Sequence, residues 1–311
     1  MKIVIVGAGN MGSIFAARLI DGGHDVSVVA RNNRLRDLQE NGLRLRHQFR
    51  KKIEHYTPKV FAELTPDVEA DLILVMVQRP QVDSLMPALT QHPCKKICFM
   101  FNCSEMNPEW QAALGSRLVW AFPAALGGTK DGIVGYLVLP GWLRFLQITT
   151  VGVAKGGDTE IAHTIVDVLS KAKIASTFHP DMPGWLMTHT GLMLAGMVMG
   201  ENKLNAGENQ KLSFAESKLM VQAQKECFAV VRASGSKVSP ANIRLLSMVP
   251  GFLIAPSIWL ISRTPSYTRA VLDHADHAHD EMQTMYQGIV ANAARSGTKI
   301  PALDQLGTAL S

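Results

Sequence analysis

The sequence predicts a parallel α/β domain followed by an all-helical domain. Three observations carry that reading. Short β-branched runs alternate with helical stretches through the first half of the chain, the pattern of a parallel sheet covered by helices. After Asp181 strand signal almost disappears and long helical patterns take over. The length, 311 residues of which 47% are hydrophobic and 18% charged, favours two cores over one. The boundary falls at His179-Pro180, giving domains 1–179 and 180–311.

The elements follow in order. Lys2 to Val6 reads as a strand, Met11 to Asp21 as a helix, Asp25 to Ala30 as a strand and Arg34 to Asn41 as a helix. Leu72 to Val77 is continuously apolar and so belongs to a strand buried on both faces. A helix over Val82 to Leu89 and a buried strand over Lys96 to Phe101 come next. Strands at Leu118 to Ala121, Ile133 to Leu139 and Leu146 to Val153 lead to a helix, Glu160 to Ala172, and a short strand, Ala175 to Phe178. Helices are then expected over Gly184 to Met199, Ser213 to Ala233, Pro240 to Leu246, Thr268 to Ser296 and Pro301 to Leu310.

Composition excludes several functions. The charge of +5, 31 basic against 26 acidic residues, is mild and spread out, which suits an anionic small molecule and not nucleic acid. The densest basic run, Arg44, Arg46, Arg50, Lys51 and Lys52, reads as a solvated strand-loop edge. Cys94, Cys98, Cys103 and Cys227 form no C-x-x-C pair, so a reducing, cytosolic setting is expected. Met1 to Ala8 passes straight into a glycine loop and reads as a first strand, not a signal peptide. Leu245 to Ile261 is almost wholly apolar, but Pro250, Gly251 and Pro256 interrupt it. It is expected to be a buried helical hairpin or an apolar pocket wall, with no membrane association; a homodimer is compatible with the sequence.

The sharpest motif is Gly7-Ala8-Gly9-Asn10-Met11-Gly12, a G-x-G-x-x-G that follows a strand and opens a helix. Its first glycine permits a tight turn, its second lets the backbone approach a pyrophosphate, and its third allows close helix–sheet packing. The helix N-terminus then offers unpaired N–H groups to phosphates. The first domain is thereby predicted to be a Rossmann dinucleotide-binding domain. The second strand ends at Arg31, where an NAD site carries an acid for the ribose 2′-hydroxyl. A guanidinium there grips a 2′-phosphate through parallel hydrogen bonds, so NADP is the expected cofactor; the alternative is that Arg31 merely caps a surface loop.

The start KIVIVGAGNMGSIFAARLIDGGHDVSVVAR, the strand DLILVMV and the segment FMFNCSE resemble the ketopantoate reductase family, nearly end to end and most strongly over the first hundred or so residues. That resemblance implies a Rossmann domain followed by a helical domain, and NADPH-dependent reduction of 2-ketopantoate or a related 2-oxo acid in a cleft between them. It implies that Asn102 lies near nicotinamide and substrate, although the glycine that follows the family's asparagine is Cys103 here. Glu281, ahead of Gly297-Thr298-Lys299-Ile300-Pro301, matches a family glutamate that binds the substrate hydroxyl or supports the general acid. Ser266 matches a substrate-contacting serine, and Gln78, directly after the strand Leu72 to Val77, is counted with the cofactor-binding residues.

The catalytic lysine is missing. Met187 occupies its position two residues after Trp185, and Gly191 and Ala195 replace the family's asparagines. His189 lies in the same helix and is the substitute proton donor to test, although two residues along a helix point to the opposite side; the competing reading is a packing histidine. His274, His277 and His279 with Asp273, Asp276 and Asp280 admit a metal site, but a solvated polar helix face is the simpler reading, and no metal is expected. The Met-rich stretch Met187, Met193, Met197 and Met199 reads as core packing. Two functions therefore stay open: a reductase with an altered proton donor, or a non-catalytic NADP(H)-binding sensor or partner module. Phe252 and Trp259 point to a substrate larger and less polar than ketopantoate.

Overall fold

The computed structural model describes residues 1–137, 139, 147–264, 267 and 279–309. These form two compact units. One comprises 1–101 and 107–182, the other 102–106 and 183–311. The chain thus has an N-terminal α/β part and a helical C-terminal part, as its sequence predicts.

The first unit is built on a sheet ordered β12-β11-β8-β7-β6-β1-β2-β5. Its strands are β1 (Lys2–Val6), β2 (Asp25–Val29), β5 (Lys59–Phe61), β6 (Leu72–Val75), β7 (Ile97–Met100), β8 (Leu118–Phe122), β11 (Thr149–Gly152) and β12 (Ser176–Phe178). All neighbours pair in parallel except β8 and β11. Helices α1 (Asn10–Asp21), α2 (Asn32–Asn41), α3 (Met86–Gln91), α4 (Pro108–Leu114) and α5 (Thr159–Lys171) accompany it. β6 and β7 are buried at every position, as their unbroken apolar runs require. β1 lies between β2 and β6, so the chain leaves β1 toward one side of the sheet and later returns on the other. Ligands bind at such a switch point in open α/β sheets.

Two features of this unit depart from expectation. The helix expected over Val82 to Leu89 is instead a 3-10 turn at Arg79–Gln81 and a short α3 that starts one residue before Pro87. Pro80 and Pro87 lack the N–H that a helix interior needs, and each is tolerated only in a first turn. A second sheet, β4-β3-β10-β9, joins β3 (Leu43–His47), β4 (Ile53–Tyr56), β9 (Leu126–Lys130) and β10 (Ile133–Leu137). Leu43 and Leu45 of β3 point inward while Arg46 is exposed, and Arg44 pairs with Asp37 at 2.8 Å. Tyr136 of β10 donates to Glu54 at 2.8 Å and takes a short hydrogen bond from Arg18, tying this sheet to α1.

The second unit contains α6 (Met182–Asn205), α7 (Phe214–Ala233), α8 (Ala241–Met248), α9 (Gly251–Ile261), α10 (His279–Ser296) and α11 (Pro301–Leu306). α7 starts at a reciprocal capping box in which Ser213 and Glu216 each satisfy the other's backbone. Its buried Glu226 accepts from the N–H groups of Ala302 and Leu303, both at 2.9 Å, and so caps α11. Leu194, Val198, Phe228, Val231, Met285 and Ile289 sit in a common apolar core. The expectation of a buried hairpin over Leu245 to Ile261 is only half met. α8 and α9 do form a bent pair, but Leu245, Met248, Phe252 and Leu260 are exposed by 65, 74, 68 and 63%. The small residues Ser247, Ala255 and Ser262 are the buried ones, because close helix contact selects them.

Candidate active site

The glycine turn is set by three different constraints. Gly7 has φ of +106°, a region that disfavours side chains, and its N–H donates to Val29 O at 3.0 Å. A Cβ on Gly12 would fall inside the contact radius of the Gly7 carbonyl oxygen, so α1 approaches β1 more closely than any side chain allows. Gly9 is exposed, faces open space and caps α1 with no side-chain hydrogen bond. The first N–H groups of α1 are thus presented to an approaching anion with no acid in the first turn. Ala8 is buried, Met11 packs against the core, and Asn10 Oδ1 accepts from Thr129 of β9 at 2.6 Å. These features fit a dinucleotide pyrophosphate.

One residue of this turn escaped sequence reasoning. Arg34 reaches back from α2 and donates to the Ala8 carbonyl at 3.0 Å and to Ser13 Oγ at 3.1 Å, with Asp37 2.5 Å away. It positions the turn. Nothing in its spacing announces this, since the contact spans the loop from β2. Arg31 precedes it as the N-cap of α2, exposed and in extended conformation. The two arginines therefore divide the work, one bracing the loop and one facing solvent. Gln78, exposed, precedes the 3-10 turn after β6.

In the second unit, Asn102 begins the segment 102–106 that follows β7. The Thr190 hydroxyl of α6 donates to Cys103 O at 3.2 Å. Ser104 lies so close to Gly288 of α10 that a Cβ there would clash, and Glu105 pairs with Arg295 at 2.8 Å. Gly288 and Arg295 are spaced by seven residues, two turns of one helical face, and Glu281 continues that face by another seven. The segment that carries Asn102 thus lies along the face that carries Glu281. Glu281 is half-buried and borders the buried stripe of Met282, Met285 and Ile289.

The proton-donor candidates fare differently. Met187 is 6% exposed within the helical core, and Ala195 is fully buried there. A Cβ on Gly191 would meet Cys227 Cβ at 2.5 Å, so this position serves the contact between α6 and α7. His189 stacks on Trp185, with ring centroids 5.2 Å apart and planes 3° from parallel. Burial lowers its pKa to about 4, which leaves the imidazole uncharged at neutral pH. The stacking on Trp185 and the lowered pKa favour the packing reading of His189 over the donor reading, because a general acid must carry its proton at the working pH. Ser266, His274, His277, Asp273 and Asp276 lie outside the described residues. Among the described residues, no cluster of histidine, cysteine and carboxylate could hold a metal, and His279 pairs with Glu201 at 2.6 Å.

Comparison with known proteins supplies the family. The sequence model of the ketopantoate reductase PanE/ApbA family matches residues 3–165, from β1 into α5. A 2-dehydropantoate 2-reductase of Lactococcus lactis subsp. lactis (strain IL1403) is 28% identical over 105 residues, 32% of this chain and 33% of that protein. That match spans about a third of the relative's length. The crystal structure of 2-dehydropantoate 2-reductase from Methylococcus capsulatus aligns with a TM-score of 0.72 at 19% identity, covering 98% of this chain and 94% of that one. The ternary structure of D-mandelate dehydrogenase with NADH and anilino(oxo)acetate aligns with a TM-score of 0.75 at 16% identity, over 100% and 97% of the two chains. At these identities the two structures share the fold. The family match covers the glycine turn, the strands around it and more than half of the chain, and this chain belongs to the ketopantoate reductase PanE/ApbA family.

Proposed function

We propose that the chain is an NADP-dependent reductase of a 2-oxo acid or a related ketone. The observation that carries this reading is Arg31, exposed at the end of β2 beside an open glycine turn, with Arg34 already committed to that turn. Gly7, Ala8, Gly9, Asn10, Met11 and Gly12 would hold the pyrophosphate, Arg31 the 2′-phosphate, and Gln78 and Asn102 are assigned to the remaining cofactor contacts. Bound reduced nicotinamide supplies a hydride. The side chains have two tasks, to orient the carbonyl and to bring a proton to its oxygen. Asn102, at the carboxyl end of β7, is assigned the first through its amide N–H. Glu281 is assigned the second, as the carboxyl on the helix face beside the Asn102 segment. Ser266 is assigned to substrate by family resemblance alone.

Affinity tests the cofactor assignment directly. NADPH should bind at least about tenfold more tightly than NADH, a difference of about 1.4 kcal/mol. Arg31→Ala should erase that preference by weakening NADPH alone. Calorimetric titration of both nucleotides into both proteins decides it, and equal affinities in the wild type would remove the assignment.

A second reading has its own support. Met187, Gly191 and Ala195 are spent on helix packing, so the family's lysine and asparagine positions hold no polar group. A non-catalytic NADP(H)-binding sensor would have that character. Retention of Asn102 and Glu281 favours the reductase.

A further inference from the structure

The bent pair α8 and α9 presents an apolar face that the proposed chemistry does not use. The two helices meet at 114°. α9 rests on the body of the second unit through Ala255 and Ser262, both fully buried, and through Ile258. α8 turns in Ser247, whose carbonyl accepts from Lys225 at 3.1 Å. The large side chains are turned to solvent: Leu245, Met248, Phe252, Leu253, Leu260 and Ile261 are each at least half exposed. Scattered exposed leucines need no explanation, but a contiguous apolar surface marks a docking site. Helices of 8 and 11 residues are only about 12 and 16 Å long, so neither is long enough by itself to cross a hydrocarbon core of about 30 Å, and the bend of 114° between them suits a pair that lies along a surface.

Charge selects the occupant. Between Glu226 and Asp273 the sequence contains no acid, yet it holds Arg232, Lys237, Arg244, Arg263 and Arg269. Arg244 is exposed on α8. Arg263 follows α9, its guanidinium 3.7 Å from the centre of the Trp259 ring, an aromatic and a cation paired at the edge of the apolar face. The acids of α7 are engaged elsewhere. Glu216 is held by Lys203 at 2.9 Å and by its capping box, and Glu226 is buried beneath α11. If two copies met through this face by two-fold symmetry, each would offer the other the same acid-free stretch, so Arg244 and Arg263 would find no carboxylate among residues 227–272 of the second copy. An anionic headgroup layer supplies the missing countercharge, and the acyl boundary beneath it receives the leucines and Phe252. We propose that α8 and α9 dock the protein onto anionic phospholipid surfaces, lying in the interface without crossing it.

Vesicle flotation of the full chain tests this. Vesicles of phosphatidylcholine alone are compared with vesicles containing phosphatidylglycerol, at low and at physiological salt. Wild type should float with anionic vesicles at least fivefold more than with neutral ones, and salt should weaken the effect. The double variant Phe252→Ser, Leu260→Ser should fall to background while keeping NADPH affinity, because both side chains are solvated. Arg244→Glu with Arg263→Glu should erase the anionic preference. Equal binding to neutral vesicles, or no binding to either at low salt, would overturn the proposal. So would a lipid-free dimer in sedimentation velocity that the Phe252→Ser, Leu260→Ser variant dissociates.

Discussion

Gly9→Ala and Gly12→Ala should both reduce NADPH affinity by at least about a hundredfold, but only the second should destabilise the fold. A methyl group at position 9 meets nothing within 4 Å, and the backbone there, at φ −70° and ψ −165°, suits any residue. Its cost falls on the ligand, whose pyrophosphate must come to the bare backbone. A methyl group at position 12 collides with the Gly7 carbonyl, which is fixed from behind by the hydrogen bond from Gly7 N–H to Val29 O. The backbone cannot swing away as a flexible side chain would, so α1 must separate from β1. Overpacking of that kind costs about 1–3 kcal/mol, and a loss of roughly 2.7 kcal/mol in binding is a hundredfold in affinity. Thermal unfolding and nucleotide titration of the two variants check both halves. Unchanged NADPH affinity in the Gly9 variant would show that the pyrophosphate does not lie over this turn.

Glu281→Gln should lower kcat/KM by about 10²-fold or more and leave NADPH affinity unchanged, the range for loss of a general acid or base. The substitution keeps the size of the side chain and removes its capacity to carry a proton. Steady-state kinetics with the best substrate, beside nucleotide titration and a thermal melt, make the result diagnostic. A drop in stability or in NADPH affinity would identify Glu281 as a structural residue of α10. A fall in kcat/KM alone supports proton delivery. The same helix offers a contrast in Arg295, whose bond to Glu105 holds the segment 102–106 from about four turns further on.

Much of this architecture is legible in the sequence because burial on two faces leaves a plain mark. β1, β6 and β7 are runs of apolar residues, and the turn after β1 declares itself by its glycines. The second sheet is harder to see. β9 reads Leu-Gly-Gly-Thr-Lys, with two glycines that disfavour a strand, and β3 alternates leucine with arginine over only five residues. The exposure of α8 and α9 is not written in composition. An all-apolar stretch has no polar face to show which side turns outward, and here the packing interface chose the smallest residues. Within the site, the glycines and Arg31 follow a spacing rule. The role of Arg34 depends on a side chain folding back to a carbonyl 26 positions earlier. The stacking of His189 on Trp185, and the fall in its pKa that burial brings, depend on packing that its place in the helix does not reveal.

The central claim is that this chain reduces a 2-oxo acid or ketone at the expense of NADPH without the family's lysine. Following NADPH oxidation by absorbance across a panel of 2-oxo acids and ketones, ketopantoate included, tests it most directly. Turnover of at least one 2-oxo acid or ketone of the panel in the ordinary range of about 1–10³ s⁻¹ is expected, with ketopantoate turned over weakly or not at all because Met187 cannot donate a proton. Tight NADPH binding with no oxidation by any member of the panel would contradict it and establish the chain as a cofactor-binding module. Rapid turnover of ketopantoate would contradict the assignment of Met187 to the lysine position.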